Sequence, residues 1–422
     1  MGQEIYLGLM VLVFCIGYIM ITFENIIHIN KATIALLMAV ICWILPFGSQ
    51  YFTHPENISF LSEHLGNVSQ IIFFLIGALA IVEIIDAHNG FKVISDRINI
   101  ESKKKMFWVT GFLTFFLSSI LDNLTTTIVM IAFLQKMIEE REDRLIFGGG
   151  VVIAANAGGA WTPIGDVTTT MLWIGNQITT FSIMKELFIP SMVCFLVSFF
   201  ILNFALKDGS IKKLKADDSK KEPYGTLVFF LGLSLLVFVP FFKAATGLPP
   251  FMGILFALSV LWLVTDILHC KKKDRAHLRM PHTLAQIDLS CVLFFLGILL
   301  CINALESAGI LTHLAVYLDQ TFSSTTFIAI LIGLASAIVD NVPLVAATMG
   351  MYELTQYPTD SPFWSMIAFC AGTGGSILIF GSAAGVVFMS LENVNFMWYL
   401  RRISFAALAG FFAGIGVYVL FQ

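Results

Sequence analysis

The sequence predicts an all-α polytopic membrane protein of inverted-topology repeats, each with a re-entrant hairpin and a broken transmembrane helix. Three observations lead there. Of 422 residues, 58% are hydrophobic and 12% charged, and the mean hydropathy is +0.87; a soluble domain carries about 25% charged residues. Apolar runs of about 20 residues recur, each long enough to span a bilayer, and they are continuous, not alternating, which excludes a transmembrane barrel. Finally, Asp-Asn pairs interrupt two of the runs, at Leu121-Asp122-Asn123-Leu124-Thr125 and Val339-Asp340-Asn341-Val342-Pro343. An ionisable side chain at membrane depth is costly and marks a functional site.

Taken in order, residues 1–68 hold two N-terminal spans, 5–23 and 32–47, outside the repeat. No Lys or Arg precedes Lys31, so the first run lacks the basic region of a signal peptide and reads as a retained span with its N-terminus outside. Repeat 1 covers 69–206, with a span at 69–87, a hairpin at 106–138, a broken helix at 145–176 and a span at 186–206. Residues 207–285 contain a polar linker at 207–222 with six lysines and two connecting spans, 225–243 and 250–268. Repeat 2 covers 286–422, with a span at 286–306, a hairpin at 324–352, a broken helix at 363–391 and a last span at 402–421.

Loop charge decides how the Asp-Asn stretches cross. If both were full spans, the basic segments between them would move to the outer face: Lys136 to Arg144, 207–222, and Lys271 to Arg279. The positive-inside rule opposes that. If each returns to the side it came from, all Lys and Arg but Lys185 and Lys243 face the cytoplasm. The first hairpin then enters from the cytoplasm and the second from outside, with tips meeting near the midplane, since non-helical backbone at that depth must line a cavity or be buried in protein.

The two halves also resemble each other. The Asp-Asn pairs lie 218 residues apart, and Gly158-Gly159 and Gly165 lie 216 residues before Gly374-Gly375 and Gly381. The first downstream segment runs from Asn156 through Thr162, Pro163 and Gly165 to Asp166, and the second from Gly372 to Ser382. Gly and Pro at that density break a helix and free its backbone groups, and matched breaks in two halves point to a transporter binding site. A packing notch is the plain alternative for the glycines.

Asp122, Asp340 and Asp166 fall at these breaks, and no Lys, Arg or His does. A small hard cation takes carboxylate, carbonyl and hydroxyl oxygens. Na⁺ is therefore expected at Asp122, Asn123, Asp340 and Asn341, with Asp166, Thr125, Thr162 and Ser382 as further donors. Asn156, Gly158, Gly159, Pro163, Gly165, Gly374, Gly375 and Gly381 supply the site's backbone and helix breaks. An anionic substrate would want basic residues instead. A carboxylate out of water favours its protonated form, so Na⁺ and H⁺ compete for it, and alternating access turns competition into antiport. Asp before a helical run is also a common N-cap, a role compatible with ion binding. His88, near a span end, reads as an interfacial histidine or a pH sensor. The seven cysteines show no CxxC spacing and read as buried free thiols. No basic block suggests nucleic acid, no nucleophile–base constellation suggests an enzyme, and no cofactor is expected.

Ser119-Ile120-Leu121-Asp122-Asn123-Leu124-Thr125, Asn156 to Asp166, Val339 to Leu344 and Gly372 to Gly385 together resemble NhaD-type Na⁺/H⁺ antiporters of the ion transporter superfamily. The likeness covers both repeats, from about 69 to 422. It implies a bacterial inner-membrane antiporter that exports Na⁺ and Li⁺ against H⁺. It further implies a lipid-embedded homodimer with a scaffold domain and an elevator-like movement of the site. Related dicarboxylate carriers carry Ser-Asn-Thr at the hairpin tips, where this chain has Asp-Asn-Leu and Asp-Asn-Val. The alternatives are an arsenite or oxyanion efflux carrier on the same fold, against which no paired thiols stand out, and an uncoupled channel.

Overall fold

A computed structural model describes residues 2–22, 24–49, 54–95, 100–206, 209, 222–270, 278, 280–322 and 324–422. The linker 207–222, apart from Gly209 and Glu222, and the Lys271–Arg279 cluster, apart from Leu278, lie outside the described residues.

The N-terminal part contains α1 (Gly2–Thr22), α2 (Glu24–Ile27), α3 (Lys31–Ser49), α4 (His54–Ala87) and α5 (Lys92–Ser95). Next come α6 (Lys103–Ser118), α7 (Asn123–Met137), α8 (Arg141–Gly159), α9 (Val167–Ile174) and α10 (Thr180–Ala205). The connecting helices are α11 (Gly225–Thr246), α12 (Pro250–His269) and α13 (Met280–Leu284). The second half follows with α14 (Leu289–Ser307), α15 (Ile310–Thr321), α16 (Thr325–Ser336), α17 (Asn341–Met351), α18 (Pro362–Gly374) and α19 (Ala383–Glu392). It closes with α20 (Phe396–Arg402) and α21 (Ser404–Phe421).

Among the described residues six helices are long and apolar enough to cross a membrane: α4 from Ile58, α10, α11, α12, α14 and α21. Their outward side chains, among them Phe200, Phe204, Leu263, Ile267, Phe405 and Leu420, are exposed apolar groups. In water such a belt would be unstable; in a bilayer it is the lipid face. The protein is thus membrane-embedded and multi-pass.

Both Asp-Asn stretches form two helices joined by a short turn, α6–α7 and α16–α17, and both Gly-rich stretches form two arms with a gap, α8–α9 and α18–α19. Internal contacts match across the halves. Ser118 Oγ donates to Ala155 O at 2.7 Å, and Ser336 Oγ donates to Ala371 O at 2.8 Å. Gly158 and Gly374 each lie so near a facing backbone, at Phe115 and Gly333, that a Cβ would collide with its carbonyl. Glycine there lets the first arm of each broken helix press on the first arm of its helix pair. Across the halves α7 packs on α19 and α17 on α9, so the site is built jointly.

Three expectations change. α4 begins at His54, so the boundary at 68/69 falls inside one helix: the polar stretch His54 to Gln70 continues the α-helix, with Phe60 and Leu61 packed on the core. His88, directly after the end of α4, is buried and not a free surface histidine, its Nε2 3.1 Å from His269 Nε2 and its Nδ1 2.7 Å from Ile84 O. Five cysteines are buried, whereas Cys15 and Cys270 are exposed, and Cys42 and Cys301 face each other with Sγ atoms 3.6 Å apart. Spacing along the chain could not reveal that pairing, because α3 and α14 meet only in the fold.

Candidate ion site

Four helices start at the centre of the molecule, each with an oxygen-bearing N-cap. Asp122 caps α7, accepting from Thr125 N at 2.8 Å and Thr125 Oγ1 at 2.9 Å. Asp166 caps α9 through Thr168 N at 3.0 Å. Asp340 caps α17 through Val342 N at 3.4 Å, and Ser382 caps α19 through Gly385 N at 3.3 Å. A helix N-terminus carries about half a positive charge and suits an anion. Three of these four termini already have a carboxylate of the chain itself in that place.

The asparagines of the two pairs converge on one acid. Asn123 Nδ2 donates to Asp166 Oδ2 at 2.7 Å, and Asn341 Nδ2 lies 3.2 Å from the same oxygen and 3.4 Å from Oδ1. Asn123 Nδ2 also donates to Asn156 Oδ1 at 2.9 Å. Asn156 Nδ2 in turn reaches Ser376 Oγ at 2.9 Å and Ser382 Oγ at 2.8 Å. Asp166 is 1% exposed, and no Lys, Arg or His pairs with it among the described ion pairs. The buried charge is met by neutral N–H donors alone, a costly arrangement for an ionised carboxylate.

Asp122, Asn123, Asp166, Thr170, Asp340 and Asn341 line one cavity of about 40 Å³, closed by Phe74, Leu75 and Phe295. That exceeds the roughly 10–15 Å³ needed to hold one water, so the cavity has room for a small ion. Among the described residues the amide oxygens of Asn123 and Asn341 accept no hydrogen bond, since each side chain turns its nitrogen to Asp166. They are neutral donors for a cation, beside the half-buried carboxylates of Asp122 and Asp340.

The expected residues are thus partly gathered. Asp166, Asn123, Asn341, Asn156 and Ser382 share one network, with Asp122 and Asp340 on the cavity wall. Thr125 turns its hydroxyl to Asp122. Thr162 is engaged elsewhere, donating to Ser119 O at 2.7 Å, and Pro163 O accepts from Thr170 Oγ1 at 2.9 Å. Gly159 lies on Gly165, and Gly375 on Gly381, so the gap of each broken helix folds back against its own first arm. No group of three or more His, Cys, Asp or Glu suited to a metal ion occurs among the described residues, so the three aspartates do not form a preassembled cage. Sequence reasoning missed Ser376 and Thr170; the signals were Ser376 directly after Gly374-Gly375 and the run Thr168-Thr169-Thr170 after Asp166.

Residues 18–366 match the family model described as citrate transporter, CitMHS. Sodium/proton antiporter 1 of Arabidopsis thaliana is 53% identical over 97% of this chain and 72% of its own length. Sodium/proton antiporter 2 of the same plant is 52% identical over 97% of this chain and 98% of its own length. The Na(+)/H(+) antiporter NhaD of Alkalimonas amylolytica is 28% identical over 96% of this chain and 89% of its own length.

Proposed function

The chain belongs to the CitMHS family and, within it, to the sodium/proton antiporters, and from that premise we propose that Na⁺ and H⁺ alternate at Asp166 and the cavity beside it. Its activity is Na⁺/H⁺ antiport; it is a transporter and not an enzyme. One observation carries the mechanism: asparagines from both Asp-Asn pairs donate to the same buried carboxylate.

Each residue then has a part. With the cavity free of cation, a proton on Asp166 removes the cost of an unpaired buried charge. An entering Na⁺ sheds water for Asp122, Asp340 and the amide oxygens of Asn123 and Asn341, and its charge lets Asp166 give up the proton. Asn156, tied to Ser376 and Ser382 of the second half, holds Asn123 in register. Li⁺, smaller with the same ligand preference, is a second cargo. Citrate is disfavoured by three carboxylates on a cavity with no basic residue among the described lining.

The two Asp-Asn helix pairs are read as re-entrant hairpins of an inverted repeat. Contacts at the loop ends support two distinct faces. Lys103 N donates to Gly209 O at 3.2 Å, which joins the start of α6 to the Lys-rich linker. At the other ends Asp360 N donates to Gln177 O at 2.8 Å, and Thr179 N donates to Asp360 Oδ1 at 2.6 Å. The basic face is the cytoplasmic side of a bacterial inner membrane, or its topological equivalent in a plant cell, and the working unit is a homodimer.

Proteoliposomes with an imposed pH gradient and an internal pH dye test the function. Na⁺ and Li⁺ collapse the gradient, whereas K⁺, citrate and arsenite do not. A gradient that responds to citrate or arsenite and ignores Na⁺ overturns the proposal.

A further inference from the structure

α11 lies in neither half, and its last turn carries Lys243, a cation that loop charge leaves away from the basic face. The structure gives that residue a partner. Lys243 Nζ donates to Trp173 O at 2.9 Å and sits 4.7 Å from the centre of the Trp173 ring. Trp173 occupies the last turn of α9, the eight-residue helix whose first residue follows Asp166. An ammonium on a helix C-terminus meets the negative end of its dipole and its free carbonyls, and the indole face adds a cation–π contact. No carboxylate pairs with Lys243 among the described ion pairs. Its bond to Trp173 is the one hydrogen bond among the described residues that joins α11 to α9.

α11 packs on α4 and α12, and α9 packs on α17, α18 and, less extensively, α4, so α4 touches both, and the Lys243–Trp173 bond is a direct polar link between α11 and α9. Lys243 therefore ties the connecting helices to the helix that carries the central acid. An eight-residue helix is about 12 Å long and rigid, so holding one end fixes the other. We propose that Lys243 is a positioning residue that holds α9 so that Asp166 stays where Asn123 and Asn341 converge. This rests on the reading of Asp166 as the centre of the ion site.

The test is Na⁺-activated proton flux in proteoliposomes for Lys243→Met, Lys243→Arg and Asp166→Asn. Lys243→Met raises the half-saturating Na⁺ concentration about 3–10-fold, the size expected for a lost dipole and cation–π contact, with a maximal rate within about twofold of the parent. Lys243→Arg, which keeps charge and donor, restores the parent value. If Lys243→Met yields no folded protein, Lys243→Gln is read in the same way. An unchanged half-saturation, a fall in maximal rate alone, or an Arg variant as impaired as the Met variant overturns the proposal. Asp166→Asn stops flux whatever Lys243 does; normal Na⁺ activation in that variant overturns the ion-site reading instead.

Discussion

Asp122 adopts φ 111° and ψ 160°, a region open to glycine and costing other residues about 1–3 kcal/mol. Its counterpart Asp340 has φ −45° and ψ 137° and bears no such strain. Asp122 thus carries its carboxylate at a backbone position that glycine adopts more readily. Asp122→Gly relieves the strain and loses a cap worth about a few tenths of a kcal/mol against Gly, so the melting temperature holds or rises by a few degrees while Na⁺-driven proton flux falls at least tenfold. Intact flux in that variant contradicts the role given to Asp122. Lys103, at the start of α6, has a different link to pH. The hydrogen bond to Asp143, helped by Glu140 at 3.2 Å, outweighs burial and holds its pKa above the usual lysine value. The stabilisation is complete below the unfolded value of about 10.4 and is lost as pH rises through the higher folded value. In Asp143→Asn the loss begins near the ordinary lysine value, which melting curves from about pH 8 to 12 detect; unchanged curves contradict it. At this scale the acids were legible, because each interrupts an apolar run. Their ranking was not: position along the chain says nothing of side-chain direction, and the asparagines, not the paired aspartates, turn out to meet Asp166.

A second set of bonds clamps the half-helices together at the far end of α7. Arg144 Nε donates to Glu392 Oε1 at 2.8 Å and Oε2 at 2.9 Å, its Nη1 reaches Ile138 O at 3.1 Å, and Arg141 Nη2 reaches Glu392 O and Asn393 O at 3.2 Å. The Glu392 side chain is 2% exposed, so removing Arg144 strands a buried charge at a cost of about 3–5 kcal/mol. Arg144→Met should lower the melting temperature markedly, and adding Glu392→Leu should recover part of the loss. Losses that simply add contradict a coupled pair. The clamp explains why α7, α8 and α19 stay packed although they come from different halves. Helix order and the breaks at 119–122, 160–166 and 375–382 were readable from Gly, Pro and Asp inside apolar runs. The extension of α4 back to His54 and the separate amphipathic α15 were not, because polar helical residues outside an apolar run look like loop. The burial of His88 against His269 was equally hidden, since it depends on α4 lying beside α12.

At the scale of the whole molecule, matched bonds at Ser118 and Ser336, and matched close approaches at Gly158 and Gly374, make the halves equivalent in their internal packing. The matched Gly158/Gly374 and Ser118/Ser336 contacts agree with the register of glycines and Asp-Asn pairs read in the sequence; the exchange of partners, α7 with α19 and α17 with α9, was not legible there, because pairing between distant segments leaves no trace in spacing. The proposed inverted arrangement predicts that cysteines placed at Glu139 and at Thr355 react with a membrane-impermeant maleimide from opposite faces. Labelling from one face contradicts it. All these features serve one claim, that Na⁺ displaces a proton from a carboxylate site built by both halves. The direct measurement is proton release on adding Na⁺ to purified protein in weakly buffered solution near neutral pH, followed with a pH dye. The account predicts a release that saturates with Na⁺ and disappears in Asp166→Asn. Saturable Na⁺ binding with no proton released, or with undiminished release from Asp166→Asn, would contradict it.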